Sequence, residues 1–200
     1  MQTVFLVDDD AAILKALSRV LREEGWEVQI FESAEAFLAR PNPDDEGCLV
    51  LDVAMPGFDG LELQRRLSET GQHPPIVFLT GHGDIPMSVR ALKAGASDFL
   101  TKPVQVRALV ASVRSAIEQG ASARKVRTEI ANLRRQLASL TPREREVLAA
   151  LATGKLNKQI AADLGVVEQT VKFHRARIME RLGAKTVAEL MHVAARLGIG

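Results

Sequence analysis

The sequence predicts two folds in one chain: a five-stranded, doubly wound parallel α/β sheet, then a helical linker and a four-helix all-α domain. Three observations predict this. Over residues 1–120, short apolar runs alternate with segments of helical spacing. From Thr141 onward the patterning is helical only. The charge also changes sign: residues 1–120 carry 11 Lys+Arg against 18 Asp+Glu, whereas residues 121–200 carry 15 against 7. An acidic half joined to a basic half points to two jobs.

The strand-type runs are TVFLV (3–7), EVQIF (27–31), CLVLD (48–52), PIVFLT (75–80) and DFLT (98–101). Between them, residues 11–24 place Ile13, Leu14, Leu17, Val20 and Leu21 on one helical face, with Gly25 as a stop. Residues 33–40, 59–69 and 84–94 follow the same habit, and a fifth helix is expected from about Val104, after Pro103, to Gly120. Five such units give a parallel sheet covered on both faces.

Beyond Gly120, the stretch SARKVRTEIANLRRQLASL sets Val126, Ile130, Leu133, Leu137 and Leu140 at alternating spacings of four and three. That is a short heptad seam. Two readings stay open, a coiled coil or an amphipathic helix packed on its own protein. Thr141-Pro142-Arg143-Glu144 is a capping box with Pro at the first helical position. That helix runs to Thr153. A short helix follows over Asn157 to Leu164, then a longer basic one over Val167 to Leu182, and Thr186 caps a last one to about Leu197. A short helix, a tight Gly-containing turn and a longer basic helix make a helix-turn-helix. The domain boundaries read as 1–120, 121–139 and 140–200.

Composition narrows the classes. The chain has 200 residues, 46% of them hydrophobic, enough for a core in each domain. No apolar run is long enough to span a membrane, and MQTVFLVDDD lacks the basic start of a signal peptide. The one cysteine, Cys48, excludes an intrachain disulfide and reads as a small buried strand residue. A cytoplasmic setting is expected.

The run VFLVDDD ends an apolar strand with three adjacent carboxylates, which calls for a compensating cation. In a parallel α/β sheet the working crevice lies beyond the C-terminal strand ends. There stand Asp8, Asp9 and Asp10 after the first strand, Asp52 ending the third, Thr80 ending the fourth and Lys102 after the fifth. Helix capping and dipole contact would account for the acidic run if it stood alone. With Asp52, Thr80 and Lys102 in company, the pattern reads as a pocket for Mg²⁺ (or Mn²⁺) held by Asp8 and Asp9. Asp52 is then the nucleophile toward a phosphoryl donor, Thr80 and Lys102 meet the phosphate oxygens, and Asp10 caps the following helix.

The segments VDDD, LDVAMPGFDG, FLTGHGD and DFLTKP resemble those of two-component receiver domains, of flavodoxin-like (CheY-like) fold. The segment from Leu140 to Thr186 resembles a LuxR-type helix-turn-helix output domain, and the whole resembles the FixJ/NarL class of response regulator. The resemblance implies Asp52 as phosphorylation site, Asp9 as a direct metal ligand, a metal contact from the Ala54 carbonyl, and a cis peptide at Lys102-Pro103. It implies a switch in which Thr80 binds the phosphoryl group, Phe99 turns inward behind it, and the surface near 84–101 then forms a homodimer. Arg90, Lys93 and Asp98 would pair across its two-fold axis. Solvated charge remains the alternative for those three, and plain core for Phe99. Val104 departs from the Phe common after Lys-Pro, and Ala54 and His82 lie where relatives tune phosphate lifetime.

Helical spacing puts Gln169, Lys172, Phe173, Ala176 and Arg177 on or near one face of the basic helix, with Val171 and Ile178 as core. By resemblance, Lys172 and Phe173 read bases, with Ala176 and Arg177 one turn on. Thr170, His174 and Arg175 touch phosphates, as do Asn157 and Lys158 at the start of the short helix. Core is the other reading for Phe173. The implied partners are a sensor histidine kinase, double-stranded promoter DNA, RNA polymerase and a second copy of the chain, with no membrane. Two alternatives remain. A dehalogenase-type phosphohydrolase would want Thr or Val where Ala12 stands and a late acidic motif. A DNA-binding protein with an inert receiver would leave the acidic pocket without a purpose.

Overall fold

The computed structural model describes residues 2–40, 46–70, 73–81 and 85–199. The chain divides into two compact units, Met1–Ala123 and Arg124–Gly200.

The first unit alternates β1 (Thr3–Val7), α1 (Ala11–Glu23), β2 (Glu27–Phe31), α2 (Ala34–Leu38), β3 (Gly47–Asp52), α3 (Gly60–Thr70), β4 (Ile76–Thr80), α4 (Ile85–Lys93) and β5 (Asp98–Thr101). α5 (Val106–Ala138) follows. The strands are all parallel, in the order β2-β1-β3-β4-β5. Side chains along a strand point alternately to opposite faces, so each strand feeds two cores. On one face Val4, Leu6, Cys48, Val50, Val77 and Leu79 meet Leu14, Leu17 and Leu21 of α1 and Leu109, Val113 and Ile117 of α5. On the other, Phe5, Val7, Leu49, Leu51, Ile76 and Phe78 meet Phe37 of α2, Leu63 and Leu67 of α3 and Ala91 of α4. Fully burying a Val, Leu, Ile or Phe side chain of these cores stabilises by about 1.5–3 kcal/mol relative to exposure. Cys48 is fully buried, and burial pushes its thiol well above the usual range.

The register sets the pocket. Val7 pairs with Leu51, so Asp8, one residue past β1, and Asp52, the last residue of β3, come side by side. Thr80 pairs with Thr101, which brings Lys102 up one residue later.

The helix predicted to end at Gly120 does not end there. α5 continues through it to Ala138. An interior glycine costs about 1 kcal/mol relative to alanine, too little to stop a helix anchored by a buried face. Gly120 instead permits close packing: a Cβ there would lie 3.0 Å from the Pro75 ring.

The second unit contains α6 (Pro142–Ala152), α7 (Asn157–Asp163), α8 (Glu168–Leu182) and α9 (Val187–Arg196) around a core of Val147, Leu148, Ile160, Val171, Ile178 and Leu190. The capping box forms: the Thr141 hydroxyl accepts from the Glu144 amide, and the Glu144 carboxylate accepts from the Thr141 amide. The end of the heptad seam belongs to this core, with Leu140 buried and Leu137 packed against it, and Glu129 pairs with Arg196 at 2.5 Å. Val126, at the seam's start, is 49% exposed.

Candidate functional site

The acidic pocket forms where β1, β3, β4 and β5 end. Asp8, Asp52 and Thr80 are buried, and Asp9 is exposed beside them. One carboxylate oxygen from each of Asp8, Asp9 and Asp52 lies within 4.8 Å of the others, an arrangement able to hold a metal ion. All three donors are hard oxygens, which suits Mg²⁺. Asp10 caps α1, its Oδ1 accepting from the amides of Ala12 at 2.8 Å and Ile13 at 3.2 Å. Asp8 Oδ1 accepts from the Asp10 amide at 3.0 Å.

Lys102 Nζ lies 2.6 Å from Asp8 Oδ2 and 3.0 Å from Asp52 Oδ2. The reading of the sequence set Lys102 against phosphate oxygens and missed its pairing with Asp8. The acidic run therefore has a cation from the protein's own chain. Burial pushes the Asp52 carboxyl above its usual range and Asp8 adds to this, while hydrogen bonds from Lys102 and Ala54 pull the other way. Burial disfavours the charged form of Lys102, but its hydrogen bonds to Asp8 and Asp52 outweigh it and hold its pKa above normal. Ala54 is exposed, and its amide reaches Asp52 Oδ1 at 3.4 Å. The Lys102-Pro103 peptide is cis.

Gly60 escaped the sequence reading. It opens α3 against the loop after Asp52, and a Cβ there would lie 2.3 Å from the Asp52 carbonyl oxygen. Only the residue lacking that atom lets α3 begin so close to the pocket. Phe99 is half-buried against the core face that holds Phe78, with its ring centroid 6.1 Å from that of Phe78. On the surface near it, Arg90 and Lys93 are exposed, as are Val89 and Leu92. Asp98 is turned to its own unit: one oxygen accepts from the Phe99 amide at 2.8 Å and the other from the Ser112 hydroxyl. His82 and Asp84 lie outside the described residues.

The second candidate site is on α8. Val171, Ile178 and Leu182 face the core. Gln169, Lys172, Phe173, Ala176 and Arg177 are exposed, and Thr170, His174 and Arg175 are half-buried. Phe173 is 55% exposed, which removes the core alternative for it. Lys172 pairs with Glu168 at 3.1 Å, and the Arg177 guanidinium lies 5.1 Å from the centre of the Phe173 ring. Asn157 and Lys158 open α7, half-buried and exposed respectively.

Among the described residues no helix is long and apolar enough to cross a membrane. Residues 4–114 match the family model of the response regulator receiver domain, and residues 138–194 match that of bacterial regulatory proteins, luxR family. The chain is 44% identical over 196 residues to Nodulation protein W of Bradyrhizobium diazoefficiens, covering 98% of this chain and 86% of that protein. It is 40% identical over 196 residues to Transcriptional regulatory protein FixJ of Azorhizobium caulinodans, covering 98% and 93%. The solved structure of response regulator StyR superposes with a TM-score of 0.87 at 45% identity, covering 98% of both chains. A receiver fold closing over an acidic pocket, joined to a LuxR-type helical unit, makes this chain a member of the two-component response regulators that control transcription.

Proposed function

We propose that phosphoryl transfer to Asp52 switches this chain between two states of DNA binding. The observation that carries the reading is the convergence of Asp8, Asp52 and Lys102, from the ends of three strands, within 3.0 Å contacts. An Asp52 carboxylate oxygen attacks the phosphorus of a phosphohistidine on a sensor kinase. The new O–P bond forms as the P–N bond breaks, and the imidazole leaves with the electron pair and takes up a proton. Asp8, Asp9 and Asp52, with the Ala54 carbonyl, would hold Mg²⁺ or Mn²⁺, which supplies positive charge for the transferring phosphoryl oxygens. Lys102 releases Asp52 and turns to the added oxygens, and the Thr80 hydroxyl approaches them. Phe99 follows Thr80 inward, and the surface around 84–101 pairs with a second copy.

In this reading residues 1–120 are the receiver, 121–139 the linker and 140–200 the DNA-binding domain. α8 enters the major groove, where Lys172, Phe173, Ala176 and Arg177 face bases beside Gln169. Thr170, His174, Arg175, Asn157 and Lys158 touch phosphates. The paired chains work in the cytoplasm and meet RNA polymerase at the promoter.

Sedimentation velocity with Mg²⁺, with and without beryllofluoride, tests the switch on wild type and Asp52→Asn. A monomer-to-dimer shift in wild type alone is expected. No shift in either protein removes receiver dimerisation as the switch.

A further inference from the structure

The three most exposed large apolar side chains among the described residues all lie in the helix-turn-helix: Leu156 at 70%, Val167 at 68% and Phe173 at 55%. Leu156 and Val167 hold the N-cap positions of α7 and α8 without a side-chain cap. Phe173 is different, because its ring is already in use. The Arg177 guanidinium lies 5.1 Å from its centre, and the His174 ring meets it edge-on at 5.8 Å. Residues four apart share one helix face, so ring and guanidinium project together from the face opposite Val171 and Ile178.

The core gains little from a phenylalanine more than half exposed. A major groove offers it one apolar group, the C5-methyl of thymine, and offers a guanidinium the O6 and N7 pair of guanine. An aromatic ring beneath an arginine also limits where that arginine can swing. We propose that Phe173 determines operator specificity in two ways: its ring packs on a thymine methyl group, and its face positions Arg177 on a guanine in a neighbouring base pair. This rests on the reading that α8 enters the major groove.

The test uses the full chain with Mg²⁺ and beryllofluoride, and a site selected from a randomised double-stranded library that contains no methylated cytosine. Each thymine of the selected site is replaced in turn by deoxyuridine, which removes only the methyl group. Wild type is expected to lose about threefold to fivefold in affinity at one thymine per half-site, the size for one buried methyl group. Phe173→Ala should bind more weakly and be indifferent to that replacement. Phe173→Leu separates the two roles, retaining methyl sensitivity and losing discrimination between guanine and 7-deazaguanine at the Arg177 contact. Indifference of wild type to every replacement overturns the proposal, as does equal sensitivity in wild type and Phe173→Ala, while the DNA-binding reading stands. If no sequence is enriched over random DNA, that reading fails and the inference falls with it.

Discussion

Asp52 in the first unit and Glu144 in the second are almost equally buried, at 4% and 3% exposure, yet their titrations move in opposite directions. Glu144 accepts the Thr141 amide and stands 3.7 Å from Arg181, so its pKa is lowered chiefly by the hydrogen bond from the Thr141 backbone. Its contribution to stability is present above the ordinary range near 4.5 and is lost as the pH falls through its lowered pKa. Asp52 is raised above 3.8, so the first unit loses stability as the pH rises through the interval between the ordinary and the raised value. One carboxylate serves the fold. The other costs the fold stability while it is charged, because burial disfavours its charge.

Neutralising each carboxylate breaks the comparison most directly. Asp52→Asn should abolish phosphoryl incorporation from a labelled donor. In chelator it should raise the thermal midpoint of the first unit by a few degrees. An unchanged or lower midpoint would mean that the Lys102 pair outweighs burial. Gly60→Ala strikes the same pocket through the backbone. A methyl group 2.3 Å from the Asp52 carbonyl oxygen should cost about 1–3 kcal/mol or more in urea unfolding, and slow phosphorylation with it.

The second unit is expected to respond more gently. Lys172→Ala, if the residue reads bases, should weaken operator binding about tenfold and binding to random DNA far less, by fluorescence anisotropy. Equal loss on both would assign Lys172 to phosphate, and added salt should weaken all binding. Smallest is the cap. Thr141→Ala should lower the stability of the second unit by about 1 kcal/mol. Glu144→Gln should flatten its loss of stability on acidification while leaving the first unit unchanged.

The two units also differ in how openly the sequence declares them. α8 lies in one stretch, so a helical period placed Lys172 and Arg177 outside and Val171 and Ile178 inside. The pocket draws on residues as far apart as Asp8 and Lys102. It was still legible, because parallel strands align their ends and the strand runs stood out. The contacts among those ends were not legible. That Lys102 reaches Asp8 depends on side-chain reach, which no spacing encodes. The continuation of α5 through Gly120 was hidden for a similar reason: Pro75, which packs there, is 45 positions away in the sequence. The same period set Phe173 on the outer face with core as the alternative, and its 55% exposure decides for the outer face.

Cys48, fully buried in the middle of the sheet with its thiol pushed far from ionisation, has a use at the bench. Maleimides and iodoacetamides need an accessible thiolate, and the native fold offers them none at this position. A cysteine introduced on the exposed face of α8 or α4 would be the one reactive thiol of the folded chain. Spin labels or fluorophores placed there would test whether two copies of the chain come together, with no background substitution in the core.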